Sequence, residues 1–213
     1  HYTPLPPSVP QLRLPKNDAY EGSVITGNLR PRFTWERSTA AEGEVVYEIQ
    51  YSSDAAFEGD VAAYKTSLTS YQPEAPLSVS MTPPVGRRYF WRVRACAVGQ
   101  CSDFSRTWWI NLGRSVKDFN GDGYADIAVG TSPGEGMAEP DPVYVFFGGP
   151  AHRQHATLAE NALHTGFGSS LSPAGDFNGD GFADLLIGAP GSLSGAGIVY
   201  LYFGGPGNAF ETK

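Results

Sequence analysis

Asp118-Phe119-Asn120-Gly121-Asp122-Gly123-Tyr124-Ala125-Asp126 recurs later in the chain as Asp176-Phe177-Asn178-Gly179-Asp180-Gly181-Phe182-Ala183-Asp184, with a single Tyr-to-Phe difference. In both copies oxygen-bearing side chains stand at positions 1, 3, 5 and 9, and glycine stands at position 6, where such a loop must turn sharply. Calcium accepts six to eight oxygens at about 2.3–2.6 Å, so a loop that turns alternate side chains inward supplies most of a shell. The position-7 carbonyls of Tyr124 and Phe182 would add to it. Three carboxylates within nine residues repel one another without a cation. The alternative is a solvated Asp/Gly turn, which the repetition disfavours. Two Ca2+ sites are therefore expected, one at Asp118, Asn120, Asp122, Tyr124 and Asp126, the other at Asp176, Asn178, Asp180, Phe182 and Asp184.

An EF-hand begins with the same pattern but requires a bidentate Glu at position 12 between two helices. Position 12 here is Val129 or Ile187, within Asp126-Ile127-Ala128-Val129-Gly130 and Asp184-Leu185-Leu186-Ile187-Gly188. Short apolar runs bounded by glycine are read as buried strands, so each loop is expected to join two strands. Magnesium is disfavoured because it demands near-octahedral geometry and releases water reluctantly.

The repetition extends beyond the loops. Val143-Tyr144-Val145-Phe146-Phe147-Gly148-Gly149-Pro150 answers Val199-Tyr200-Leu201-Tyr202-Phe203-Gly204-Gly205-Pro206, each an aromatic-rich strand closed by a Gly-Gly-Pro turn. Short strands repeated at such a period indicate a radially repeated β architecture in which each unit must stack on a neighbour. Phe167-Gly168, the loop 176–184 and Gly188-Ala189-Pro190 stand in the order of the FG-GAP repeat. The chain from about residue 108 onward thus resembles the blades of integrin-α β-propellers and of related bacterial surface proteins and fungal lectins. The first copy departs from the pattern, with Trp109-Ile110 in place of Phe-Gly and Gly130-Thr131-Ser132 in place of Gly-Ala-Pro. Its opening strand is expected to be shared with, or displaced by, the preceding domain. The resemblance implies that calcium braces each blade between its first two strands, while partners bind other loops or the spaces between blades.

Residues 1–110 have a different texture, with a Pro-rich lead (Pro4, Pro6, Pro7, Pro10) followed by short alternating runs. Phe33 and Trp35 alternate, as do Tyr47, Ile49 and Tyr51, and then Tyr89, Trp91, Val93 and Ala95. This is the period of strands with one buried and one wet face. The order of these strands resembles a fibronectin type III domain, with Tyr89 as its corner tyrosine and Thr107–Leu112 as its last strand. Another immunoglobulin-like sandwich would read similarly. The expected architecture is all-β, a sandwich over 1–110 followed by two propeller-type FG-GAP blades over 111–213. Sandwiches of this kind serve as spacers or as ligand-binding domains, and the spacer role is the simpler reading.

Cys96 and Cys101 are the only cysteines. A cross-hairpin disulfide in an oxidising exterior is the natural reading, two free buried thiols the alternative. No signal peptide and no run of 18 apolar residues is visible, so His1 is read as a mature N-terminus or a cut boundary. A net charge of −7 without a basic cluster argues against nucleic acid as a partner. Gly130-Thr131-Ser132-Pro133-Gly134 matches a nucleophile elbow in letters only, because Pro133 lacks the N–H that an oxyanion needs. His152, His155 and His164 lack zinc-site spacing. The expected function is non-enzymatic: a secreted or cell-surface, calcium-binding adhesion or display protein whose partners are other protein chains or further copies of itself. A carbohydrate-binding lectin with glycan partners is the first alternative, accessory domains of a larger secreted enzyme the second.

Overall fold

The computed structural model describes residues 4–131, 142–150, 155–159 and 166–212, so Ser132, Pro133, Gly134, His152 and His164 lie outside the described residues. The chain divides into two compact units, one of residues 1–79 and 86–113, the other of residues 80–85 and 114–213. Among the described residues, apart from one helical turn and a short 3-10 turn, the regular elements are all strands. Among the described residues no helix is long and apolar enough to cross a membrane.

The first unit contains β1 (Leu12–Leu14), β2 (Ala19–Glu21), β3 (Phe33–Trp35), β4 (Val46–Ser52), β5 (Val61–Thr66), β6 (Ser70–Tyr71), β7 (Arg87–Ala97), β8 (Gln100–Cys101) and β9 (Trp108–Leu112). They form two sheets, β1-β3-β6 and β2-β9-β7-β4-β5, with β8 folded back on β7. Alternation drives the pairing. Tyr89, Trp91, Val93, Ala95 and Ala97 of β7 are buried in strict turn, and Tyr47, Ile49 and Tyr51 of β4 meet them. Phe33 and Trp35 close the same core from the other sheet, with the Phe33 ring 4.9 Å from that of Trp91. On the opposite face of β4 and β7, Arg92 and Arg94 reach Gln50 and Glu48, and Arg92 stacks on Phe57 and Phe104 at 4.0 and 4.2 Å. Tyr89 Oη donates to the Ser78 carbonyl at 2.7 Å. Cys96 and Cys101 face each other across β7 and β8 and form a disulfide.

A domain boundary after residue 110 would cut β9. Ile110 and Leu112 are fully buried in the first core, so the first unit runs through Gly113. The same fact accounts for the irregular start of the first repeat. Trp109-Ile110, where the repeat should open, pairs with Phe90 and Tyr89 of β7 and belongs to the sandwich.

The second unit contains β10 (Ile127–Gly130), β11 (Val143–Phe146), β12 (His155–Leu158), β13 (Ser170–Gly175), β14 (Asp184–Ala189), α1 (Ser192–Gly195), β15 (Ile198–Phe203), a 3-10 turn (Pro206–Asn208) and β16 (Glu211–Thr212). Among the described residues these make two antiparallel meanders, β10-β11-β12 and β13-β14-β15-β16, neither of which closes on itself. Val143 and Val145 of the first sheet and Leu185, Ile187 and Tyr202 of the second share one core with Phe119, Phe147 and Phe167. Residues 80–85 join this unit through the Val85 amide, which donates to the Gly121 carbonyl at 2.9 Å.

Candidate metal loops of the second unit

Each repeated loop leads into a strand, β10 after Asp126 and β14 at Asp184. The second loop joins β13 to β14, a buried strand, as expected. The first departs from the expectation, since among the described residues no strand of the second unit precedes it and Ile127 and Val129 of β10 are exposed rather than buried. Inside each loop two successive Asx turns set the course of the backbone. Asn120 Oδ1 accepts from the Asp122 amide at 3.2 Å and Asp122 Oδ1 from the Tyr124 amide at 2.9 Å. In the second copy Asn178 and Asp180 do the same for the amides of Asp180 and Phe182, at 3.1 and 2.9 Å. The chain then turns through left-handed backbone at position 6, with φ of 95° at Gly123 and 100° at Gly181, a conformation that costs a side-chain-bearing residue but not glycine. The sequence thus brings positions 1, 3, 5 and 9 of each copy to one loop.

Position 1 differs between the copies. Asp118 is buried, and its two oxygens accept from the amides of Asp122 and Gly123 at 2.9 and 2.8 Å. Asp176 carries an ion pair with Arg114, Nη1 to Oδ2 at 3.3 Å, with both side chains largely buried.

Position 9 has a role that the motif alone does not disclose. Asp126 Oδ2 accepts from the Phe119 amide at 2.7 Å while its Oδ1 accepts from the Gly148 amide at 2.9 Å. Asp184 likewise takes the Phe177 amide at 2.7 Å on one oxygen and the Gly204 amide at 3.1 Å on the other. Both aspartates are buried. Each ties the start of its loop to the Gly-Gly-Pro turn that ends the sheet's next strand. A Cβ on Gly204 would collide with the carbonyls of Ala183 and Phe119, so this turn approaches the loops too closely for any larger residue. The recurrence of Gly-Gly-Pro in both copies is the sequence signal for this clamp.

The two loops also meet. The Ala183 amide donates to the Asp118 carbonyl and the Gly205 amide to the Phe119 carbonyl, both at 3.0 Å. Asn120 Nδ2 donates to Asn208 Oδ1 at 3.0 Å.

Electrostatically the loops favour a cation. Burial pushes the Asp118 carboxyl up to about 7, and the charges of Asp126 and Asp122 add to this against the hydrogen bond from Gly123. Burial also raises Asp126 and Asp184, although backbone amides hold both partly down. The donors are carboxylate, amide and peptide oxygens, the set that hard divalent ions prefer. Counting only acidic, His and Cys side chains, no group of three or more among the described residues converges tightly enough to hold an ion. The donor chemistry therefore suits an ion that completes its shell with neutral oxygens and water. A carboxylate oxygen that accepts one N–H keeps a lone pair free for such an ion. His155 lies apart from both loops, exposed on β12 beside Phe146 and Tyr144.

Residues 115–146 and 167–202 match the family profile described as the FG-GAP repeat. The chain is 37% identical over 101 residues to integrin alpha-IIb of Mus musculus, a match covering 42% of this chain and 10% of that protein. It is also 37% identical over 108 residues to phosphatidylinositol-glycan-specific phospholipase D of Homo sapiens, covering 46% of this chain and 13% of that protein. The chain thus spans only about a tenth of the length of the curated relatives it matches. A solved structure, the chicken CNTN1 FN1-FN3 domains, aligns with 99% of this chain and 67% of its own at 13% identity and a TM-score of 0.37, too low to carry an argument about arrangement.

Proposed function

We propose that this chain is an extracellular adhesion or display protein whose FG-GAP repeats are braced by two Ca2+ ions, one in each loop. The observation that carries this reading is the pair of acidic loops, each clamped to its own sheet by a buried position-9 carboxylate. Bound calcium would supply the positive charge that offsets desolvation and mutual repulsion. Asp118, Asn120, Asp122, Asp126 and the Tyr124 carbonyl would hold one ion; Asp176, Asn178, Asp180, Asp184 and the Phe182 carbonyl would hold the other. Because position 9 serves the sheet as well as the loop, the role of the metal is structural and partners bind elsewhere.

The strand order of the first unit and the Tyr89 corner contact support a fibronectin III-like spacer, and similarity to an integrin α chain supports adhesion to other protein chains at a cell surface. The phospholipase D relative favours a second reading, in which the same repeats are accessory domains of a larger secreted enzyme.

Calorimetric titration of calcium into chelator-treated protein tests the metal. Two sites with dissociation constants of about 10⁻⁴–10⁻³ M, the range of extracellular modules, are expected. The first loop should bind more tightly, because Arg114 already compensates Asp176 in the second. Absence of binding heat and of any thermal stabilisation would remove the calcium reading. Adhesion is tested by coating the protein on a surface and measuring retention of cells and matrix proteins with calcium and with EDTA. Retention that is cation-dependent supports adhesion, and none above an uncoated surface refutes it.

A further inference from the structure

The two repeats provide an internal control on burial. Counted from the position-9 aspartate, Ile127 and Val129 correspond to Leu185 and Ile187; counted from the Gly-Gly-Pro turn, Val143 and Phe146 correspond to Val199 and Tyr202. Leu185 and Ile187 are 1% and 0% exposed, packed in the core that Val143 and Val145 share. Their counterparts Ile127 and Val129 are 63% and 43% exposed, and Phe146 is exposed where Tyr202 is buried. Ile127 stands opposite Phe146, and Val129 opposite Tyr144, so these side chains form one continuous apolar patch on β10 and β11. The opposite end shows the converse. Val143 is 0% exposed, whereas its counterpart Val199 is 68% exposed.

Each sheet therefore has a front, carried by the strand after the loop, and a back, carried by the valine of the following strand. Within the chain the back of the first sheet covers the front of the second. Left bare are the front of the first sheet and the back of the second, the same two kinds of surface that already pack together. We infer that a second copy of this chain docks head to tail, its Val199 face seated on the Ile127–Val129–Phe146 face of its neighbour. The new contact continues, between chains, the packing already present within one. The two surfaces are different, so the association is heterologous and grows into rings or open chains rather than stopping at a symmetric dimer. This inference goes beyond the proposed function and rests on the repeat geometry alone.

The test uses Ile127→Glu and Val199→Glu in the full chain, with calcium in excess. Both positions are solvent-exposed, and unchanged melting curves will verify folding. Analytical ultracentrifugation of the unmodified protein over about a hundredfold range of concentration should show the average mass rising from 22.8 kDa to about twice that or more. Each variant alone should remain a monomer, since each lacks one of the two surfaces. Mixed in equal amounts they should form a discrete heterodimer, the intact back of one on the intact front of the other. An unmodified protein that stays monomeric throughout overturns the proposal. So does a mixture that stays monomeric while the unmodified protein associates, or a single variant that still self-associates.

Discussion

Asp180 and Asp184 belong to one loop but are held differently. Asp180 is exposed and touches only loop neighbours, whereas Asp184 is buried and accepts amides from both the loop and the distant Gly204. Removing the Asp184 carboxylate leaves buried N–H groups without an acceptor, at a cost of about 1–3 kcal/mol each. Asp184→Ala should therefore lower the melting temperature of the second unit with or without calcium, and Asp180→Ala only with it. Equal losses in EDTA would contradict the clamp. Asp118 makes a different forecast in the absence of metal. Its folded-state carboxyl is raised to about 7, so between the ordinary carboxylate range and pH 7 the folded chain holds a proton that the unfolded chain has lost. Stability from this group falls as pH rises through that window and stays low above it. In EDTA the second unit should melt at a higher temperature near pH 5 than near pH 7.5, and calcium should narrow the difference. The donor positions of both loops are legible in the sequence, because their spacing is local. The Arg114–Asp176 pair is not, since its partners are far apart in the chain and only the tertiary fold unites them.

At the scale of elements, legibility follows periodicity. Strand β7 alternates without a break over Arg87–Ala97, and the sequence shows it plainly. Strand β2, Ala19-Tyr20-Glu21, has no such pattern. It is held parallel to β9 partly by Asp18, whose Oδ1 accepts from Trp109 Nε1 and Asn111 Nδ2 at 2.9 Å, contacts that no local rule anticipates. The opening strand of the first repeat is lost to the sandwich for a related reason: Ile110 and Leu112 bury completely in the first core. The Tyr89 hydroxyl offers a direct measurement. Tyr89→Phe keeps the ring in the core but removes the donor to the Ser78 carbonyl, which should cost the first unit about 0.5–1.5 kcal/mol in denaturant titration. A change within error would mean that solvent replaces this bond freely.

At the scale of the molecule, the described residues form two hydrophobic cores, one in each unit, and the repeated loops belong to the second unit. Calorimetry should accordingly resolve two transitions, of which calcium raises only one, by about 1.4 kcal/mol per site at a free concentration about ten times the dissociation constant. A shift of both by equal amounts would show that the units melt as one. Chain order predicts the two-part character of the molecule but not its seam, because residues 80–85 are sandwich by position and repeat by packing. The backbone therefore passes between the units three times, after residues 79, 85 and 113. One consequence concerns inheritance. A recombination event that cuts once, at residue 113, delivers repeats without the loop segment whose Val85 amide supports Gly121, and a sandwich with a stray loop. The smallest cassette that gene shuffling can transplant intact is therefore the pair together.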